Sequence, residues 1–199
     1  MKRLSILLAL WVCATTNAVA QDPYTHRVDA VAKEITFDVR VSPYTFYLKN
    51  TANELIDKPI TWVSGIELTK DEYNALTLGI MDQGGLRKAI RETFSEAEYA
   101  ALKNGKDYIE LFTVINADGQ ILELVFYIHK STRTETLSPD KYELLEQNLK
   151  LYATYSITDD MQKLSFWRSF HLIDFASLGI LYKNQDPGIA LPDSLQINP

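Results

Sequence analysis

The sequence predicts an α+β fold, a mostly antiparallel sheet packed against several short helices. Three observations carry that expectation. Two strand-like runs between Tyr108 and His129 flank an Asp118-Gly119 turn. An amphipathic helix is expected after Ser138, and capping boxes at Thr69 and Ser95 mark further short helices upstream.

Residues 1–20 are read as a cleavable signal and not as part of the fold. Lys2 and Arg3 form a positive start, Leu4 to Val12 is apolar, and Ala18-Val19-Ala20 offers small residues for cleavage before Gln21. The apolar run is too short to cross a bilayer as a helix. Cys13 supplies the competing lipoprotein signal, to which Trp11 and Val12 are poorly suited. The expected mature chain, 21–199, is one α+β domain. The competing division is two small lobes, 28–105 and 106–185, with a loose C-terminal tail.

Gln21 to Arg27 reads as a leader. Ile35, Phe37, Val39 and Val41 alternate with Thr36, Asp38 and Arg40, the pattern of a half-buried strand. Ser42-Pro43 marks a turn and Tyr44 to Lys49 a second strand. Beyond a polar connection, Pro59 to Ile66 is expected to be a short strand around Trp62 and Val63. Thr69 and Glu72 open a helix to about Leu78, Gly84-Gly85 reads as a break, and a second helix is expected from near Leu86. Ser95 and Glu98 open another, which Gly105 ends. Each helix start repeats one pattern. Leu68, Phe94 and Leu137 precede the caps, while Tyr73, Tyr99 and Tyr142 follow at staple spacing. Because the starts are unequally spaced, one grammar used repeatedly is preferred to an internal duplication.

Tyr108 to Ile115 is rich in residues that suit a pleated surface. Asp118-Gly119 then signals a hairpin, since glycine takes the positive φ that such turns need. In the return strand Leu122, Leu124, Phe126 and Ile128 form one apolar face, and Ile121, Val125 and Tyr127 the other. A strand apolar on both sides belongs at the centre of its sheet. Glu123 alone interrupts the second face; burial would disfavour its charged form, whereas a sheet edge would leave it wet. Ser138 is a good N-cap with Pro139 at the first helical position. Tyr142, Leu145, Leu149 and Tyr152 then share a helical face, so helix 139–152 is expected to cover hairpin 108–128. Burying those four side chains contributes roughly 6–12 kcal/mol before conformational entropy is set against it.

Phe112 to Val114, Ala117-Asp118-Gly119, Ile121 to Phe126, Ser131 and the helix from Pro139 together resemble the C-terminal domain of the TonB type. The resemblance is confined to that stretch. It implies a periplasmic fold with a sheet edge able to pair with a partner strand. It does not extend to a membrane anchor or a proline-rich spacer, so no energy transduction is expected from it. The plan of a signal followed by a small domain is also similar to secreted proteins of Gram-negative bacteria whose roles are unassigned.

After a turn at Thr158-Asp159-Asp160, Leu164 to Phe175 is expected to be a long strand apolar on both faces, with Phe166, Phe170 and Leu172 against Trp167, His171 and Ile173. Ser177 to Tyr182 fits either strand or helix. Asp186-Pro187-Gly188 ends regular structure.

The composition narrows the chemistry. Cys13 is the only cysteine, so disulfides, thiol catalysis and cysteine metal sites are not expected of the mature chain. Removal of Lys2 and Arg3 takes the formal charge from −6 to −8. So acidic a chain, with no basic stripe, is not expected to bind nucleic acid or anionic lipid. The three histidines, His26, His129 and His171, have no metal-ligand spacing, and no metal or cofactor is expected. No serine lies in a nucleophile elbow. Asn116-x-Asp118-Gly119 suits a turn better than a calcium loop. Glu67, Asp71, Glu72, Glu96, Glu98, Glu110 and Glu123 could include a hydrolytic pair, but most lie where helix dipoles or solvent account for them. No catalytic residue is assigned.

The candidate ligand-binding residues are Tyr44, Tyr47, Trp62, Trp167 and His171, with Phe46 as a further ring of a stacking platform. The leading functional expectation is an exported, non-enzymatic binding or scaffolding domain, periplasmic or extracellular. It would have no integral membrane segment after signal cleavage, and it would engage an envelope protein or peptide through a sheet edge or aromatic patch. The alternatives are a carboxylate-based hydrolase of polysaccharide and a small-molecule-binding domain.

Overall fold

The computed structural model describes residues 29–77 and 79–182. The expected signal, Cys13, His26 and the tail from 183 lie outside these residues. Among the described residues six strands form one antiparallel sheet: β1 Asp29–Val31, β2 Thr36–Val41, β3 Thr45–Asn50, β4 Tyr108–Ile115, β5 Ile121–His129 and β6 Trp167–Asp174. Their spatial order is β1-β2-β3-β5-β4-β6, so the first three strands meet the later hairpin in a single sheet. Four α-helices accompany them among the described residues: α1 Lys70–Ala75, α2 Gln83–Thr93, α3 Glu96–Gly105 and α4 Pro139–Tyr152. The expected α+β fold is the observed one.

The β4–β5 hairpin closes where the Asp-Gly signal places it. Gly119 takes φ 79°, and the Asn116 side-chain oxygen accepts from the amides of Asp118 and Gln120 at 3.0 and 2.9 Å. β5 lies between β3 and β4, the central position that its two apolar faces demand. A bulge alters one detail. Val114 pairs with Glu123 but Ile115 with Ile121, which leaves Leu122 unpaired. Ile121 therefore joins the helix-side core and Leu122 is 38% exposed, so Leu122 does not share the buried face of Leu124, Phe126 and Ile128.

Helix α4 covers that face. Ser138 caps it, accepting from the Lys141 amide, and Tyr142 packs on Phe126 with ring centroids 5.0 Å apart. Its polar side is not all in water. Glu146 is buried and accepts from Asn50 Nδ2 at 3.2 Å and Lys150 Nζ at 2.7 Å, which ties the helix to β3.

The capping boxes at Thr69 and Ser95 both form. α1 ends at Ala75, short of the expected Leu78. Gly84-Gly85 does not break the chain: α2 begins at Gln83, with the Asp82 carboxylate accepting from both glycine amides. The reason for glycine there is tertiary. A Cβ on Gly85 would stand 2.1 Å from the Tyr152 carbonyl, so α2 could not approach the end of α4. Pro59–Ile66 forms no strand; Thr61 and Trp62 make only isolated bridges, to Glu67 and Leu164. β6 is shorter than the expected 164–175, and Ser177 to Tyr182 is neither helix nor strand.

Candidate functional site

Helices, with the segment leading into β6, cover one face of the sheet, burying Phe37, Phe46, Leu48, Leu111, Leu124, Phe126, Ile128 and Trp167 in the main core. The other face carries the alternate residues of the same strands. A small cluster of Ile56, Val114, Val125 and Phe166 is closed there by the loop after β3. Glu123 fastens that loop. Its two carboxylate oxygens accept from the amides of Glu54, Leu55 and Ile56 at 2.7–2.9 Å. The carboxylate that interrupts an apolar strand thus holds the loop by its main chain and supplies an acceptor to the buried Ile56 amide.

Beyond the loop the outer face is aromatic and open. Tyr47 and Tyr127 meet edge to face at 5.3 Å, Tyr127 reaches Phe170 at 5.7 Å, and Phe170 reaches Phe112 at 6.4 Å. The row crosses β3, β5, β6 and β4. Arg40 stands 5.3 Å over the Tyr47 ring. Burial is the main cause that pushes the Tyr47 hydroxyl up to about 12, and it raises Tyr127 as well. Beside the row, Glu110 lies 3.5 Å from His129, whose ring faces Tyr108 at 4.9 Å.

The row ends at β6, which pairs only with β4 among the described residues. The Phe175 amide donates to the Asp107 carbonyl in the register that continues through the β4–β6 ladder. Odd-numbered residues of β6 therefore turn their main-chain groups toward β4, and Arg168, Phe170 and Leu172 turn theirs outward. The Tyr73 hydroxyl donates to the outward Arg168 carbonyl at 2.8 Å. Past that point no hydrogen bond reaches the edge among the described residues, and Phe170 and Leu172 are 56% and 51% exposed. Next to it, Pro59, Ile60, Leu68, Lys70, Tyr73, Phe112 and Arg168 line a depression of about 410 Å³. Arg168 Nη2 donates to the carbonyls of Leu55 and Lys58, whereas its Nε is buried with no partner among the described residues.

The residues singled out from sequence do not assemble into one platform. Tyr47 belongs to the outer row. Tyr44 is 78% exposed at the β2–β3 turn. Phe46 and Trp167 lie in the helix-side core, where Trp167 Nε1 donates to the Asn116 carbonyl at 3.2 Å. Trp62 is partly buried against that core. His171 shares the helix side of β6, and burial lowers its pKa. Sequence reasoning missed Phe112, Tyr127, Phe170, Leu172 and Arg168 as site residues. The signal available was the break in apolar alternation that Arg168 and Ser169 make within 166–173. Of the carboxylates, Glu72 and Glu98 serve capping boxes, Glu123 holds the loop and Glu110 meets His129.

No protein-family model matches the chain. Nor does any curated protein. A solved structure of a DUF5043 family protein from Bacteroides uniformis is similar in fold, with a TM-score of 0.61 at 14% identity, over 78% of this chain and 95% of that one. At that identity the likeness is one of fold alone.

Proposed function

We propose that this chain is an exported binding domain of the cell envelope that takes an extended peptide segment onto the free edge of β6. The observation that carries the reading is the pair Phe170 and Leu172. Their main-chain groups point away from the sheet and their side chains stand in solvent beside an aromatic row. An added strand would complete the ladder and lay alternate side chains on that row. The signal-like residues 1–20 support export, and the TonB-type resemblance of the hairpin and helix supports strand addition as the mode.

Amide hydrogen exchange with and without an extended peptide tests it. Binding should slow exchange at Phe170 and Leu172, and Leu172→Pro should abolish binding while leaving the fold intact, since the lost amide faces away from β4. Peptides that bind without protecting those amides, or that bind Leu172→Pro equally well, would refute the reading.

A further inference from the structure

We infer that the β6 edge selects the C-terminal end of its partner, a peptide whose free carboxylate sits in the depression lined by Lys70 and Arg168. This rests on the edge-binding reading and adds direction and chemistry to it.

The argument starts where the edge stops. The outward carbonyl of Arg168 is already occupied by the Tyr73 hydroxyl, so an incoming strand can pair with Leu172 and Phe170 but not beyond. One end of the paired segment must therefore lie beside the depression, which shares Phe112, Tyr73 and Arg168 with the edge region. Charge then fixes the orientation. Lys70 is exposed at the rim and Arg168 lines the wall. A strand antiparallel to β6 brings its C-terminal carboxylate to these two cations, whereas a parallel strand brings its ammonium there. The carboxylate of Glu72 does not compete for the site, because it is folded back onto the Thr69 amide and hydroxyl at 2.8 and 2.7 Å. Burial destabilises the charged form of Arg168, a cost that Asp57 and Glu123 offset in part and that an added carboxylate would offset further. Pro59, Ile60, Leu68 and Phe112 leave an apolar space for the last side chain, so the partner is an extended segment ending in an apolar residue with a free carboxylate.

Two pools of N-acetylated random hexapeptides, one with free C-terminal acids and one amidated, test the inference on the full chain. The protein should retain a subset of the acid pool, and a retained peptide should lose about tenfold or more in affinity on amidation or against Lys70→Ala. Lys70 is the residue to change because Arg168 also holds the Leu55 and Lys58 carbonyls. Equal retention of both pools, unaffected by Lys70→Ala, overturns the inference in favour of an internal segment and leaves edge binding standing. Retention of neither pool overturns both.

Discussion

The two faces of this sheet are made by alternate residues of the same strands, yet they end in opposite conditions. On the helix side Phe126, Leu124 and Ile128 of β5 and Leu111 of β4 are wholly buried under α4, α2 and their neighbours. On the other side Phe112 and Tyr127, from the same two strands, are half covered, and Phe170 and Leu172 of β6 are mostly in water. The helical cover brings its own apolar surface, caps and interhelical bonds. Among the described residues the cover over the small outer cluster is the loop after β3, held where Glu123 meets three amides. Among the described residues, buried apolar packing is thus concentrated on one face.

The largest expected effect comes from breaking the helix side. Phe126→Ala should lower unfolding free energy by about 3–5 kcal/mol, read from denaturant midpoints, because the space beneath Tyr142 cannot collapse. A loss under about 0.5 kcal/mol, the size of an ordinary surface change, would contradict the contrast between faces.

Glu123→Gln tests the outer cover next. The amide side chain keeps one acceptor oxygen and so leaves donors among Glu54, Leu55 and Ile56 unpaired, at a cost of about 1–3 kcal/mol. Proteolytic cleavage within 51–60 should accelerate more than global unfolding does. Equal acceleration of both would mean that the loop is not a separately held element.

His171 probes the margin of the helix side, where cover thins toward β6. Burial lowers its pKa from the ordinary 6.5. The unfolded chain therefore takes up a proton at higher pH than the folded one, and stability falls as pH drops below 6.5 toward the lowered value. The slope of melting temperature against pH in that window should be shallower in His171→Gln. An unchanged slope would place the titrating group elsewhere.

What the sequence made legible was local. The Asp118-Gly119 turn, the caps at Thr69, Ser95 and Ser138, and the face of α4 depend on neighbours within a few residues, and all formed as expected. What it hid was set by distant partners. Gly84-Gly85 reads as punctuation until the end of α4 is placed against it. Leu122 reads as core until the bulge turns it out. Trp167 and Phe170 sit in one alternating run, and nothing within that run says which side receives the helices. For the same reason the sequence points to Trp167 as a binding residue and not to Phe170. Tyr47, the one expected binding residue that lies on the outer row, is recognisable only with Tyr127, Phe112 and Phe170 beside it.

The smallest stability effect separates the two faces most sharply. Phe170→Thr replaces a half-exposed ring with a residue that suits a strand but gives up two ring contacts, so unfolding free energy should fall by only about 1 kcal/mol. Peptide retention should nevertheless fall, because the ring that meets both Tyr127 and Phe112 is gone from the edge. Phe126→Ala should show the reverse: a large stability loss, with retention unchanged in conditions where the variant stays folded. If Phe170→Thr instead costs as much as a core truncation, the outer row is a second core, and the partner must be sought on another surface.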